Sequence, residues 1–317
     1  MRPLALALAF LVLLPAPAMA QARGKTPRVG VLLSTTPAAT QHISAAFAGG
    51  LRGVEIEHRW AEGRLERFPT LAAELVRQPV DVIVASGLDA TEAAARATRT
   101  IPIVMVNVTD PVGAGLISSL VRPGGNVTGL TNQLTPDIRA KQMQLLKEAL
   151  PQLGQVAILR NAAMAEAAVW REYEVAARAV GLRARFVDVK GAAELDAAFA
   201  SVARDKGAAA FVPGGDLVFF MNRELLVARA LAHRVPTIFS AREFADAGGL
   251  MSYSARLTDQ FARAAAYVDR ILRGARPGDL PVEQPTRFEL VLNLRTARAL
   301  GLTLPPALLA RADDILE

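Results

Sequence analysis

The chain has 317 residues, of which 52% are hydrophobic and 5% aromatic, and its formal net charge is +6. It contains no cysteine, which excludes disulfides, thiolate metal sites, a cysteine nucleophile and a lipid anchor on an N-terminal cysteine. The length suggests two domains, with cores built mostly from Ala, Val, Leu and Ile. Arginines are scattered along the predicted helices beside Glu and Asp, so the positive charge indicates solvated helix faces, and no nucleic acid is expected as a partner.

Residues 1–20 have the pattern of a secretory signal peptide. A charged Arg2 precedes the apolar run Leu4–Leu14, and Ala18-Met19-Ala20 forms a small-residue cleavage site before Gln21. The apolar run is too short to span a bilayer comfortably, and no later stretch of the sequence is long and apolar enough to do so. We therefore expect an exported, non-lipidated protein of the periplasm that does not insert into the membrane after the signal is cleaved.

After residue 27, apolar strands alternate with helices. The sequence predicts strands at 28–34, 54–60, 80–85 and 103–108, separated by helices at 37–52, 68–77 and 88–99. This β-α-β-α-β-α-β order is typical of a parallel, doubly wound sheet. The stretch 101–133 closes the unit, with a turn at Pro123-Gly124-Gly125, a short helix expected at Leu116–Val121 and a strand at 126–131.

The alternation repeats in the second half of the chain. Helices are expected at 137–150, 165–180, 192–206 and 219–233, and strands at 156–159, 182–189, 208–212, 236–239 and 249–254. The tail adds a helix at 258–274, a strand at 288–293, a helix at 294–300 and a final short helical segment, too few elements for a third domain. We therefore predict two Rossmann-like α/β lobes around a ligand cleft: residues 27–133 with about 254–287, and residues 134–253 with about 288–317. The hinge is expected near residues 129–136, 251–257 and 285–290.

Catalytic and cofactor motifs are missing from the sequence. His42, His58 and His233 are the three histidines, and none has a metal-ligand partner three or four residues away. There is no G-x-S-x-G elbow, no P-loop and no G-x-G-x-x-G motif. We therefore expect no metal site, no cofactor and no enzymatic activity.

Small polar residues follow the predicted strands in both lobes. In open parallel sheets, ligands bind beyond the carboxyl ends of the strands. Hydroxyls and helix N-termini suit a carboxylate, whereas a buried aspartate suits an ammonium group or sugar hydroxyls. Helix capping explains any one of these residues without a ligand, but the convergence of the whole set on one cleft favours binding. The candidate ligand-binding residues are Ser34, Thr35, Ser86, Thr109 and Asp110 in the first lobe, and Asn161, Asp216, Ser240 and Tyr253 in the second.

Several long strings resemble a known family. They are IPIVMVNVTDPVGAGLISSLVRPGGNVTGLT, LLKEALPQL, REFADAGGLMSYS, AAAYVDRILRGARPGDLPVEQPTRFELVLNLRTARALGL and the ending ADDILE. Together they resemble the ABC-transporter substrate-binding protein family that includes the tryptophan/tyrosine-binding proteins. The resemblance implies a type I periplasmic binding protein with two lobes, three crossing segments and a cleft that closes on its ligand. It also implies an amino acid or similar small solute, delivered to a cognate ABC permease in the inner membrane. We expect the protein to be a monomer.

The resemblance extends to individual residues. Asp110-Pro111 matches the DPVG segment of the family, and Asp216 matches a position where aromatic-amino-acid binders usually have an acidic residue, an ammonium partner. After Ser86 and Gly87 the family often continues Thr-Pro, whereas this chain has Leu88-Asp89 and so lacks a hydroxyl there. Two alternatives to solute capture remain: an exported two-lobed hydrolase using Asp110 and Asp216, and a ligand-sensing partner of a membrane receptor.

Overall fold

The computed structural model describes residues 26–132, 136–161 and 167–317, so the predicted signal peptide lies outside the described residues. The strands are β1 (Arg28–Leu33), β2 (Glu55–Trp60), β3 (Val82–Ser86), β4 (Ile103–Val108), β5 (Val127–Thr131), β6 (Gln155–Asn161), β7 (Arg183–Val189), β8 (Ala209–Val212), β9 (Thr237–Phe239), β10 (Met251–Ala255), β11 (Phe288–Asn293) and β12 (Asp314–Leu316). The helices are α1 (Pro37–Gly49), α2 (Phe68–Arg77), α3 (Leu88–Ala97), α4 (Pro136–Ala149), α5 (Ala167–Ala179), α6 (Leu195–Ala203), α7 (Leu217–Met221), α8 (Arg223–Ala232), α9 (Arg242–Asp246), α10 (Leu257–Leu272), α11 (Leu294–Leu300) and α12 (Pro306–Leu309).

The first sheet has the order β2-β1-β3-β4-β5, and all its strands are parallel. Helices α1 and α10 cover one face, where Phe47 meets Phe261 edge to face with ring centroids 6.3 Å apart. Helices α2 and α3 cover the other face. Because both faces are buried, the inner strands are continuous apolar runs instead of alternating ones.

The second sheet has the order β12-β11-β10-β9-β8-β6-β7. Strands β6 to β10 are parallel, β11 is antiparallel to β10, and β12 runs parallel to β11. Helices α4, α5, α11 and α12 pack on one face, and α6, α8 and α9 on the other. The two three-layer units confirm the predicted α/β class with parallel-dominated sheets.

The chain passes between the two units in its last third. Strand β10 belongs to the second sheet, yet the helix that follows it, α10, packs on the first. The chain then runs along β5, where the Thr131 N–H donates to the Glu283 carbonyl over 3.0 Å, before β11 returns it to the second sheet. Strand β10 is parallel to β9, so its carboxyl end lies at the same edge of the second sheet as those of β6, β8 and β9. The chain therefore leaves the second unit for the first from that edge.

Three sequence predictions differ from the structure. The stretch Leu116–Val121 is not helical, because the backbone N–H of Leu116 donates to Pro111 and that of Ser118 to Pro123, which builds a folded turn. The helix expected at 219–233 is divided into α7 and α8 at Asn222, whose side-chain amide donates to the Val218 carbonyl over 2.8 Å. The short helical segment expected at the end of the chain is α12, but a further strand, β12, follows it.

Among the described residues, no helix is both long enough and apolar enough to cross a membrane.

Candidate ligand-binding cleft

Two sheet edges face each other across a cleft. A Cβ atom placed on Gly215, after β8, would lie 3.5 Å from the Thr109 hydroxyl, which follows β4. A Cβ on Gly63, after β2, would lie 2.6 Å from the terminal methyl of Met221 at the end of α7. The carboxyl ends of the two sets of parallel strands therefore meet, as the topology of open α/β sheets predicts.

Most of the predicted binding residues occupy these two edges. Ser34 follows β1, Ser86 ends β3, Thr109 and Asp110 follow β4, Asn161 ends β6, Asp216 precedes α7, and Ser240 follows β9. These positions agree with the expectation that ligands bind beyond the carboxyl ends of parallel strands. Contacts between these residues and a ligand stay a prediction. The structure also shows the local role that some of these residues already have.

Ser34 and Thr35 hold the neighbouring loop through their backbones. The Ser34 carbonyl accepts from the Gly63 N–H over 2.7 Å, and the Thr35 carbonyl accepts from the Glu62 N–H over 3.2 Å. Thr36, one residue further, caps α1. In the described part of the chain neither the Ser34 nor the Thr35 hydroxyl makes a hydrogen bond, so both remain available as donors.

The N-terminus of α3 is open. Its cap position is Gly87, with φ +87°, and no side chain accepts from the first turn. Only glycine tolerates that backbone conformation at low cost, and it leaves the first N–H groups of the helix uncovered. Ser86 precedes it, and Leu88, the first helical residue, is 39% exposed. The uncovered backbone N–H groups and the Ser86 hydroxyl can therefore donate hydrogen bonds to an acceptor at this position, next to the apolar Leu88 side chain.

Asp110 has a local structural role. One of its carboxylate oxygens accepts from the Gly113 N–H over 2.9 Å and closes the turn after β4. The capping explanation thus accounts for Asp110, which is exposed, without a ligand.

Asn107, which the sequence analysis missed, lies just before this turn. It has φ +60°, and the β4–β5 register shifts between Met105 and Val108. Bulges next to sites often re-aim a strand end, and asparagine is one of the few residues that accepts this conformation. The sequence carries no signal for the bulge, since Val-Asn-Val also fits a regular strand.

Asp216 caps α7 from the second sheet. It is 8% exposed, and its Oδ1 accepts from the Phe219 N–H over 3.1 Å. Within the described residues the other carboxylate oxygen accepts no hydrogen bond. A nearly buried carboxylate with one free oxygen, next to the Gly215–Thr109 approach, suits a cationic group of a ligand.

Gln142 of α4, another residue that the sequence analysis missed, organises the end of β9. Its side chain is fully buried, and its Nε2 donates to the Ser240 Oγ over 3.1 Å and to the Tyr253 carbonyl over 2.8 Å. The Tyr253 ring itself stacks on Phe288 at 5.6 Å and 21°, and burial raises the pKa of its hydroxyl. The half-buried Tyr253 ring therefore packs against the core of the second sheet.

Helix α7 ends where the two units approach each other, and it carries an aromatic and an apolar side chain. Phe220 is partly exposed, packs edge to face on Phe244 at 6.2 Å, and lies beneath the Arg223 guanidinium at 5.5 Å. Met221 reaches Gly63 of the first unit. These residues are not among the predicted ones, because the sequence indicates a single helix over 219–233 and not the separate α7 and α8.

Burial raises the pKa of Glu243 on α9, and the nearby charges of His42 and Arg223 oppose that shift. His42 belongs to α1 of the first unit. In residues 26–132, 136–161 and 167–317 there is no group of three or more His, Asp or Glu side chains arranged to hold a metal ion.

A surface cavity of about 390 Å³ lies away from the cleft, lined in part by Gly248, Asn293 and Arg295. Asn293 ends β11, which runs antiparallel to its neighbour β10, so this cavity is at the opposite edge of the second sheet. It contains none of the predicted binding residues.

Comparison with known proteins identifies the family. The model of the family described as "ABC transporter substrate binding protein" matches residues 36–316. This chain belongs to that family. The substrate-binding protein is 26% identical over 259 residues to the tyrosine-binding protein of Clostridioides difficile (strain R20291), covering 78% of this chain and 71% of the relative.

Two solved structures are similar to this substrate-binding protein. An ABC domain from Streptococcus pneumonia in complex with L-Trp has a TM-score of 0.82 and 25% identity, covering 92% of this chain and all of that one. A conserved domain protein from Vibrio cholerae has a TM-score of 0.82 and 29% identity, with the same coverage of this chain. The family confirms the predicted two-lobed binding-protein fold and the role in binding a small solute for an ABC transporter.

Proposed function

We propose that this substrate-binding protein captures a free amino acid with an apolar or aromatic side chain and presents it to an ABC permease. The observation that carries the proposal is the polarity of the cleft. The first edge offers the Ser34, Ser86 and Thr109 hydroxyls and the open N-terminus of α3, all donors. The second edge offers the Asp216 carboxylate, an acceptor. A zwitterion with its carboxylate on the first lobe and its ammonium on the second satisfies both edges.

The apolar groups of the cleft support an apolar ligand side chain. Val112, in the turn that follows β4, is 43% exposed. On the second lobe, Met221 of α7 reaches Gly63 of the first unit, and the half-buried Phe220 precedes it. Ligand pockets commonly combine such apolar surfaces with a few polar anchors. The tyrosine-binding relative and the L-Trp complex favour the aromatic members of this class.

The lobes are proposed to comprise residues 27–133 with about 254–287, and residues 134–253 with about 288–317. The strand partners and core clusters of the two sheets support this division. Ligand bound between lobes contacts both of them only when the cleft is closed, so it shifts the population toward the closed form. The hinge segments 251–257 and 285–290 lie where the chain passes between the sheets, while part of the segment 129–136 lies outside the described residues.

The proposal includes a periplasmic location and a binding role without catalysis. The signal-peptide pattern of residues 1–20 supports release into the periplasm. Catalysis is not required. His58 stacks on Trp60 with ring centroids 5.1 Å apart, and the His233 Nε2 lies 3.1 Å from Asp196, so both rings have partners within their own unit.

The test is a ligand screen on the purified protein, freed of endogenous ligand by denaturation and refolding. A ligand at a hundred times its dissociation constant adds about 2.7 kcal/mol of stability, which a thermal-shift assay detects easily. We expect L-tryptophan, L-tyrosine or L-phenylalanine to raise the melting temperature. Tryptamine, which lacks the carboxylate, and indole-3-propionate, which lacks the ammonium, should each raise it far less. Stabilisation by sugars alone, or turnover of any ligand, would contradict the proposal.

A further inference from the structure

Gln142 occupies an unusual place for a polar side chain. It is fully buried on α4, yet its Oε1 has no hydrogen-bond partner among the described residues. A buried carbonyl oxygen without a partner is costly and calls for an explanation. The Nε2 of the same amide makes two hydrogen bonds, both to the edge of the second sheet.

The orientation of this amide is determined by chemistry. The Tyr253 carbonyl, 2.8 Å from the Gln142 nitrogen, can only accept a hydrogen bond, so the NH₂ group must face it. The second N–H of that group then donates to the Ser240 Oγ over 3.1 Å. Because one lone pair of the hydroxyl is thereby occupied, the Ser240 O–H proton is directed away from Gln142.

The Ser240 proton has no acceptor in the described part of the chain. Ser240 is 8% exposed and directly follows β9 at the carboxyl edge of the sheet. The Gly214 backbone lies against it, since a Cβ on Gly214 would be 3.3 Å from the Ser240 Cβ. The next residue, Gly215, approaches Thr109 of the first lobe. The hydroxyl therefore stands beside the cleft as a donor.

We propose that Gln142 is a positioning residue for ligand recognition: it fixes Ser240 as a hydrogen-bond donor to the carboxylate of the bound amino acid. The inference rests on the proposed function. It adds a donor from the second lobe to those of the first, so that the ligand carboxylate is held from both sides of the closed cleft. The same amide binds the carbonyl of Tyr253 in β10, which leads into the segment that crosses between the lobes.

The test is a double-mutant cycle on Gln142→Met and Ser240→Ala, with L-tryptophan as the probe in isothermal titration calorimetry. Loss of a hydrogen bond to a charged group weakens binding by about tenfold to a hundredfold, which we expect for Ser240→Ala. Gln142→Met should weaken it by at least about fivefold, because the vacated Tyr253 carbonyl then competes for the Ser240 proton. In the Ser240→Ala background, Gln142→Met should have no further effect.

Two further variants complete the experiment. Gln144→Met is the matched control, since Gln144 lies exposed on the same helix, where it bonds to Glu148, and its replacement should leave affinity unchanged. Gln142→Leu removes the same two hydrogen bonds with a different apolar side chain, so it should reproduce the loss if Gln142→Met does not fold.

The possible results separate the two hypotheses. Additive losses in the double variant, or unchanged binding by both Gln142 variants, would overturn the role of Gln142 while leaving amino-acid capture intact. If the wild-type protein binds no amino acid at all, the proposed function and this inference are both wrong.

Discussion

Asp216 has two separable roles, and substitution can distinguish them. Its Oδ1 caps α7 by accepting from the Phe219 N–H, and its charge is proposed to bind the ligand ammonium. Asparagine caps helices about as well as aspartate, whereas alanine does not. Asp216→Asn should therefore remove the charge and keep the cap, and Asp216→Ala should remove both.

The expected magnitudes follow from these contacts. Loss of an N-cap costs about 1 kcal/mol of folding stability, so Asp216→Ala should be destabilised by that amount. Asp216→Asn should remain within about 0.5 kcal/mol of the wild type, since the capping bond survives. A hydrogen bond to a charged group contributes about 1.5–3 kcal/mol, so both variants should bind L-tryptophan roughly 10- to 150-fold more weakly.

Urea unfolding measures the stability term, and titration calorimetry with L-tryptophan measures the affinity term. Indole-3-propionate, which has no ammonium, provides the matched ligand control, and its weak binding should not fall further in Asp216→Asn. If Asp216→Asn binds L-tryptophan as tightly as the wild type, Asp216 is only a helix cap. If the affinity loss appears in Asp216→Ala alone, the cause is the disturbed helix and not the charge.

Three further predictions concern the backbone, pH and specificity. Gly129→Ala should lower the free energy of unfolding by at least about 2 kcal/mol in urea titrations. The reason is that φ is +131° at Gly129 and the new Cβ would lie 2.2 Å from the Met105 carbonyl oxygen. An unchanged unfolding midpoint would contradict this prediction. Burial lowers the pKa of His58 below 6.5. The folded protein therefore binds this proton less readily than the unfolded chain, so the free energy of unfolding is unaffected above that pH and falls as the pH drops below it. His58→Gln should show a smaller loss of stability between about pH 7.5 and 5.5. Leu88→Thr should tighten amino-acid binding by about three- to tenfold in titration calorimetry, because threonine adds a hydroxyl donor at the start of α3. Weaker binding would contradict this prediction and would show that Leu88 contacts the ligand side chain.

The fold was predictable where local periodicity decides burial. Continuous apolar runs identified the buried parallel strands, and their alternation with helices identified the two units. The division between α7 and α8 was not predictable, because Asn222 fits a helix as well as a break, and only its bond to the Val218 carbonyl favours the break. Strand β12 was missed because three residues carry too short a pattern, and its pairing with β11 decides its conformation.

The candidate site was predictable to the extent that topology determines it. Residues that follow parallel strands must meet at one edge, so Ser34, Ser86 and Ser240 could be chosen from the sequence alone. Gln142 could not, because a glutamine on a helix is usually solvent-exposed. One signal was present: Gln142 is four and seven residues before the buried Leu146 and Ala149, so it lies on the apolar stripe of α4.

The approach of the two lobes depends on positions that have no side chain. A Cβ on Gly63 would collide with the Met221 methyl, and one on Gly215 would touch the Thr109 hydroxyl. Both glycines have positive φ, +79° and +86°, a conformation that favours glycine for backbone reasons as well. A glycine after a strand is recognisable in sequence as a backbone position, but its partner across the cleft is far along the chain. The approach of the two units at these glycines is therefore a tertiary property that the sequence alone does not show.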